Sequence, residues 1–299
     1  MQKVLIPIYA ILLFLFCSCM KLDSNLFNKK ELKEYGFESY TGPQEIVLDN
    51  TYAVHDSLIH LLKLNSKAED EKEFTEIYAV YIGQISRIAA DTVIIYCHGN
   101  KWHMDYYWNR AKLLAHLGYK HHYGVLMMDY RGYGMSKGTP TEKGMVADVD
   151  ACMKWLKAKG LSDTRTIIYG FSLGSAAATQ MSANIKTLKP SKLILESPFA
   201  GTDIMVQDAS QLNMPGIYFT EQKVNNAEII KNVKQPLMWI HGEKDQFLNA
   251  ETHGRLIYNN YGGIYKEAHV IPEADHPNVP AVWGIDNYKN AVLKFITKP

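Results

Sequence analysis

The sequence is short of cysteine, of like-charge runs and of repeats, and each shortage excludes a class of protein. Four cysteines occur in 299 residues. Two of them, Cys17 and Cys19, fall in a leader-like N-terminus. The other two, Cys97 at the end of an apolar run and Cys152 in an amphipathic stretch, read as small buried hydrophobes, so no disulfide framework is expected. Lys and Arg number 32 against 31 Asp and Glu, a formal charge of +1. No basic block, basic-aromatic interleaving or acidic tail is present, which argues against a nucleic-acid partner. No segment repeats at a fixed period and none is of low complexity, so a solenoid and a disordered array are excluded. What remains is 47% hydrophobic and 21% charged, the balance of an ordinary globule long enough for one large α/β domain or two small ones.

The N-terminus differs in kind. Met1-Gln2-Lys3 carries one positive charge, and Val4–Phe16 is uncharged, too short to span a bilayer comfortably but suited to the core of a secretory signal. The run ends in Phe16-Cys17-Ser18-Cys19 and gives way to polar residues. Residues 1–19 resemble a bacterial lipoprotein signal, which implies cleavage before Cys19 and lipidation of that cysteine. A lipid adds about 0.8 kcal/mol of membrane affinity per buried methylene and would hold an exported domain at a membrane surface. The alternatives are a non-lipidated signal peptide and a signal anchor.

Residues 20–65 are mixed and polar and read as a tether followed by edge strands such as Gln44–Leu48. Lys63–Glu73 reads as a charged turn, and Phe74–Ile82 alternates as a strand does. From there near-continuous apolar runs recur at Thr92–Cys97, Tyr123–Asp129, Arg165–Gly170, Lys192–Glu196, Pro236–His241 and Glu267–Ile271. Such runs mark strands buried on both faces of a parallel sheet. Helical patterns fall between them, at about Met104–Leu117, Thr141–Ala158, Leu173–Leu188, Ala250–Tyr261 and Pro280–Thr297. The alternation predicts one doubly wound α/β domain over residues 66–299. Phe199–Lys234 is too long for a plain crossover and carries Met205, Leu212, Met214, Ile217, Tyr218 and Phe219. It reads as a small cap, with an ordinary crossover helix and long approach loop as the alternative.

Chemistry concentrates in Thr166–Ala178, where a strand runs through Gly170-Phe171-Ser172-Leu173-Gly174 into a helix of small residues. This is G-x-S-x-G in a strand–turn–helix setting, which exposes a serine hydroxyl so that a base can activate it. Gly170 and Gly174 let strand and helix pass closely. A nucleophilic Ser172 needs an acid and then a histidine, each after a later strand. Asp245, in His241-Gly242-Glu243-Lys244-Asp245, and His276, after the last apolar run, have that placement. Glu243 and Glu196 are weaker choices for the acid, and Asp275 adjoins His276 too closely to reach its Nδ1. Developing negative charge needs two backbone N–H groups. Leu173 supplies one and Asn100, in His98-Gly99-Asn100, the other, with Gly99 allowing the turn. His98 reads as structural. A metal site built on His98 and His103 lacks a third ligand at suitable spacing.

These pieces, together with Asp129-Tyr130-Arg131-Gly132-Tyr133-Gly134 and Glu196-Ser197-Pro198-Phe199, occur in order over about Phe74–Phe295. The sequence resembles the α/β-hydrolase superfamily, and within it the small serine hydrolases that include protein depalmitoylases and related bacterial esterases. The resemblance implies an α/β-hydrolase fold and hydrolysis of a carboxylic ester or thioester without a cofactor, through an acyl-enzyme on Ser172. It implies scaffold roles for Asp129 and Arg131. Lys101-Trp102-His103-Met104 is bulkier than the family's usual small residues after H-G-N, which narrows the acyl pocket or brings a ring and a cation over it. A peptidase or amidase on the same triad, and a lipoprotein binding module that keeps the fold without turnover, remain as alternatives.

Overall fold

The computed structural model describes residues 27–118, 123–210 and 224–298. Cys19 and the whole of 1–19 lie outside them, as do Leu212, Met214, Ile217, Tyr218 and Phe219 of the expected cap. Among the described residues no helix is long and apolar enough to cross a membrane.

Eight strands form one sheet: β1 (Ile59–Ser66), β2 (Thr75–Ile82), β3 (Thr92–Cys97), β4 (Tyr123–Asp129), β5 (Thr166–Phe171), β6 (Lys192–Glu196), β7 (Leu237–Gly242) and β8 (Lys266–Ile271). Their spatial order is β1-β2-β4-β3-β5-β6-β7-β8. The pairs β1–β2 and β2–β4 are antiparallel, and every pair from β4 onward is parallel. The serine strand β5 is therefore interior, with β3 in register on one side and β6 on the other.

Period-two geometry sorts the apolar runs onto two faces. Ile95, Cys97, Ile168, Leu193 and Leu195 join one buried cluster, while Ile94, Tyr96, Ile167, Tyr169 and Ile194 join another. Helices α2 (Glu142–Ala158) and α3 (Gly174–Ala183) cover the first face, through Val149, Cys152, Leu156 and Met181. Helices α1 (Met104–Ala115) and α8 (Ile285–Thr297) cover the second, through Trp108, Leu114, Val292 and Phe295. Thr141 caps α2 by accepting the Gly144 N–H at 3.0 Å. Because both faces are dry, each fully buried Leu, Ile or Phe contributes about 1.5–3 kcal/mol.

Shorter helices complete the chain: α4 (Thr202–Ser210), α5 (Asn226–Ile229), α6 (Leu256–Asn260) and α7 (Val279–Trp283). Four elements differ from the sequence expectation. Gln44–Leu48 is not a strand; the antiparallel edge strand is β1, which takes up part of the expected tether and charged turn. Its Lys63 sits on an exposed edge, a common way of protecting unpaired backbone. Helix α3 stops at Ala183, where Asn184 leaves helical geometry. The Ala250–Tyr261 pattern opens with a π-helical turn, Ala250–Arg255, that brings Gly254 against the rings of Trp239 and His241. A Cβ on Gly254 would lie 2.4 Å from His241 Nδ1. The last helical pattern breaks in two at Gly284, whose φ of 90° suits glycine.

Residues 27–58 are not a loose lead-in. Asp105 of α1 accepts the Gly36 and Phe37 N–H groups at 2.9 and 2.8 Å, and Trp108 Nε1 donates to Glu38 at 2.9 Å. Phe37 packs against Trp108 with the rings tilted by 44° and their centroids 4.8 Å apart. The segment thus covers α1, all twelve of whose residues are buried.

Candidate active site

The turn between β5 and α3 places Ser172 at φ 51°, left-handed backbone that a non-glycine residue adopts at a cost of roughly 1–2 kcal/mol. The surroundings hold it there. Ser172 N–H donates to Glu196 O at 3.0 Å, and Ser172 O accepts from Ser175 Oγ at 2.6 Å. The flanking glycines are needed for space: a Cβ on Gly170 would be 2.6 Å from Ser175 Cα, and one on Gly174 would be 2.0 Å from Cys97 O. Gly99 has the same reason, since a Cβ would meet Tyr107 Oη at 2.8 Å and Phe171 at 3.0 Å; its φ is not left-handed. That corrects the expectation of a glycine-dependent sharp turn.

His276 stands in the loop between β8 and α7. Its Nε2 is 2.8 Å from Ser172 Oγ and its Nδ1 is 2.7 Å from Asp245 Oδ2. Phe171 and Phe247 flank the ring, with centroids 5.3 and 5.2 Å away. Asp275 accepts the His276 N–H at 2.7 Å and so serves the loop rather than the imidazole. Asp245 follows β7, and its Oδ1 accepts the N–H groups of Phe247 and Leu248 at 3.0 and 2.8 Å. Burial alone would raise the Asp245 carboxyl, but hydrogen bonds from His241 and His276 hold it well below the usual carboxylate range.

His241 is a residue whose part the sequence pattern does not disclose. Trp239 Nε1 donates to His241 Nδ1 at 3.0 Å, so the ring's proton sits on Nε2. That nitrogen faces Leu248 O at 2.8 Å and Asp245 Oδ2 at 3.2 Å. The motif H-G-E-K-D contains the signal, because a histidine four residues before the acid on a strand end has little choice of neighbour.

Asn100 and Leu173 lie with Ser172 around a small apolar slot, which Phe27, Phe199, Met205 and Phe247 help to wall. The Asn100 side chain is committed elsewhere: its Oδ1 accepts from Tyr133 Oη at 2.6 Å and from Asn28 N–H at 2.9 Å. On its other side Ser172 opens to a wider cleft of about 480 Å³, whose lining includes Asn28, Glu45, Lys101, Tyr106 and Gln246. Lys101 Nζ lies over the Tyr106 and Trp102 rings at 5.1 and 5.3 Å. The H-G-N-K-W-H stretch therefore brings the Lys101 cation to the cleft, where the ring beneath it is Tyr106 of α1.

The remaining polar residues of the motifs are scaffold. His98 is buried between Gly99 O at 2.7 Å and Asp129 Oδ1 at 3.1 Å. Arg131 is paired with Asp148 at 2.9 Å and with Glu71. His103 is buried with neither ring nitrogen partnered among the described residues, and burial lowers its pKa. Among the described residues no group of three or more His, Cys, Asp or Glu is arranged to hold a metal ion.

A family model described as serine aminopeptidase, S33, matches residues 88–227. The chain is 30% identical over 238 residues to the lysophosphatidylserine lipase ABHD12 of Macaca fascicularis, a match covering 74% of this chain and 55% of that protein. It is 34% identical over 185 residues to the rat protein of the same name, covering 56% and 44%. The chain thus spans about half the length of these curated relatives. It is 26% identical to the uncharacterized protein YfhR of Escherichia coli, with 69% and 70% covered. Among solved structures, the Pyrococcus furiosus esterase Pf2001 matches with a TM-score of 0.63 at 21% identity, over 86% of this chain and 98% of that one. Est1E from Butyrivibrio proteoclasticus, solved with ferulic acid, matches with a TM-score of 0.59 at 15% identity, over 78% and 97%. The mostly parallel eight-stranded sheet, the serine turn between β5 and α3 and these similarities show that the chain has the α/β-hydrolase fold.

Proposed function

We propose that the protein is a serine hydrolase that cleaves a carboxylic ester or thioester. The observation that carries this reading is the unbroken chain from Ser172 Oγ to His276, 2.8 Å, and from His276 to Asp245, 2.7 Å. Ser172 Oγ attacks the acyl carbon while His276 Nε2 takes its proton, a transfer worth about 10²–10⁴ in rate. Asp245 keeps the other imidazole proton on Nδ1 and stabilises the imidazolium. The Leu173 and Asn100 N–H groups receive the oxyanion, each such donor being worth about 3 kcal/mol. His276 then protonates the departing alcohol or thiol, and the acyl group stays on Ser172. Water repeats the sequence, with His276 as its base, and frees the acid. In this reading the apolar slot takes the acyl group and the wider cleft takes the leaving group.

The relatives named as lysophosphatidylserine lipases favour a lipid ester with a polar head over a small soluble ester. Lipidation at Cys19 would bring the domain to such a substrate at a membrane surface. Residues 199–234 would act as a cap, with Met205 and Phe199 already at the slot. The family model's description supports a second reading, an amidase on the same residues.

The test is labelling of the purified protein with a fluorophosphonate probe, wild type beside Ser172→Ala and His276→Ala, followed by matched ester and amide substrates. Labelling of the wild type alone, with esters preferred, is expected. Faster amide cleavage would favour the second reading, and an unlabelled, folded wild type would end the hydrolase reading. Retention of Cys19→Ser in the membrane fraction, equal to wild type, would remove the lipid anchor.

A further inference from the structure

Residues 27–58 reach into the floor of the cleft, and the contact they make there runs to both halves of the serine–histidine pair. Residues 44–46 lie along α1. Glu45 N–H donates to Tyr106 O at 3.1 Å, and Asn109 Nδ2 donates to Ile46 O at 2.8 Å. These bonds turn the Glu45 carboxylate inward onto Arg110 Nε. The same guanidinium donates from Nη1 to Glu196 Oε2 at 2.8 Å and from Nη2 to Pro277 O at 2.9 Å. Its plane also sits over Phe171, with Cζ 4.1 Å from the ring centroid. One cation therefore touches the residue before Ser172, the residue after His276 and a carboxylate from the N-terminal segment. The Arg110 and Glu45 side chains are only 3% and 5% exposed.

A guanidinium is a rigid planar fork, so fixing two of its edges fixes the third. Glu196 is itself held by the Tyr169 and Tyr288 hydroxyls, which leaves Glu45 as the partner that comes from outside the sheet. With Glu196 and Glu45 in place, the remaining Nη2 edge can face only the Pro277 carbonyl. Pro277 is covalently joined to His276, whose Nε2 must stay within hydrogen-bond reach of Ser172. Displacing a catalytic group by about 1 Å costs on the order of 10²-fold in rate. Burial raises the Glu45 carboxyl, the Arg110 charge opposes that and the nearby Glu196 charge adds to it, so the net direction is up and a charged Glu45 depends on Arg110 beside it.

We propose that Arg110 is a positioning residue for His276 and that Glu45 locks it in place, so that docking of the N-terminal segment completes the active site. The inference rests on the reading of Ser172, His276 and Asp245 as the catalytic residues.

The full-length protein, solubilised in detergent, is assayed on p-nitrophenyl butyrate as wild type, Glu45→Gln, Arg110→Lys and Arg110→Met. Fluorophosphonate labelling rates and thermal midpoints are measured on the same samples. Glu45→Gln, which keeps shape and loses charge, is expected to fold and to lose about fivefold or more in kcat, with KM within about twofold. Arg110→Lys keeps the charge without the fork and should lose about tenfold or more, and Arg110→Met more still. Labelling rates should fall in parallel, because the probe reads the Ser172–His276 contact. A kcat within about twofold of wild type in folded Glu45→Gln and Arg110→Lys would overturn the inference and leave the hydrolase reading standing. A raised KM at unchanged kcat would also overturn it, by making these residues part of binding. If Arg110→Lys does not fold, Glu45→Gln alone decides. A wild type that neither turns over nor labels removes both readings.

Discussion

His276 and His241 approach the same oxygen of Asp245, at 2.7 and 3.2 Å. Asp245 is thus held from two sides, by a ring from strand β7 and a ring from the loop after β8. Its other oxygen accepts the Phe247 and Leu248 N–H groups, so every direction in which the carboxylate can rotate is occupied. The arrangement keeps the charge on Asp245 and leaves His276 one orientation.

Replacing Asp245 by Asn retains the shape, but with its oxygen kept on the Phe247 and Leu248 N–H groups it presents an N–H₂ to both rings. In Asp245→Asn the proton on His276 should move to Nε2, where it cannot accept from Ser172. A loss in kcat of about 10³–10⁴ is expected, with the thermal midpoint little changed. Steady-state kinetics on an activated ester checks this, and a loss under about tenfold would show that His276 does not depend on this partner.

Ser172 tests the strain in the turn. Both Ser172→Ala and Ser172→Gly should abolish turnover and probe labelling. Only glycine relieves the left-handed backbone at φ 51°, so Ser172→Gly should be more stable than Ser172→Ala by up to about 1 kcal/mol, after its larger unfolded-state entropy is counted. Urea midpoints of the two inactive variants decide the point; a lower midpoint for glycine would contradict it.

Gly174→Ala meets backbone rather than flexible side chains. The added Cβ would fall 2.0 Å from Cys97 O and 2.6 Å from His98 O. Overpacking of that kind should cost about 2–3 kcal/mol, and the shift of Cys97 and His98 should carry Asn100 away from Ser172. Equilibrium unfolding and kcat are both expected to fall. A stable, active Gly174→Ala would mean that strand and helix separate without cost.

His253 gives a pH signature. Burial lowers its pKa from 6.5 to about 4, against the opposing pull of Asp208. Its Nδ1 accepts the Ala200 N–H at 3.0 Å, which needs the neutral ring. Below pH 6.5 the unfolded chain binds a proton that the folded one refuses, so this residue removes stability as pH falls toward about 4 and adds no further loss below that. The full effect is about 3 kcal/mol. In His253→Asn, whose side-chain oxygen can replace Nδ1, that component should vanish. Urea unfolding of both proteins between pH 4 and pH 7 measures the difference, and parallel profiles would refute it.

Strands β3 to β7 could be read from the chain because a strand buried on both faces must be apolar throughout, and that pattern is local; β2 showed instead by its alternation. The order of Ser172, Asp245 and His276 could be read as well, since each follows a strand at the same edge of a parallel sheet. Edge strand β1 was not legible: half exposed and interrupted by Lys63, it has neither a continuous run nor a clean alternation. The break at Gly284 and the π-helical turn at Ala250–Arg255 were hidden for a related reason, because the apolar spacing continues through both. Glu45 and Arg110 stand 65 positions apart, and His241 reads as the last residue of a strand until Asp245 is placed beside it. The amino-acid sequence by itself determined which segments are buried and which serine stands at a turn, because burial repeats with the period of the backbone. Which polar groups meet in the core was decided only by the tertiary structure, because a buried charge is stable only beside a partner that the fold brings from far along the chain.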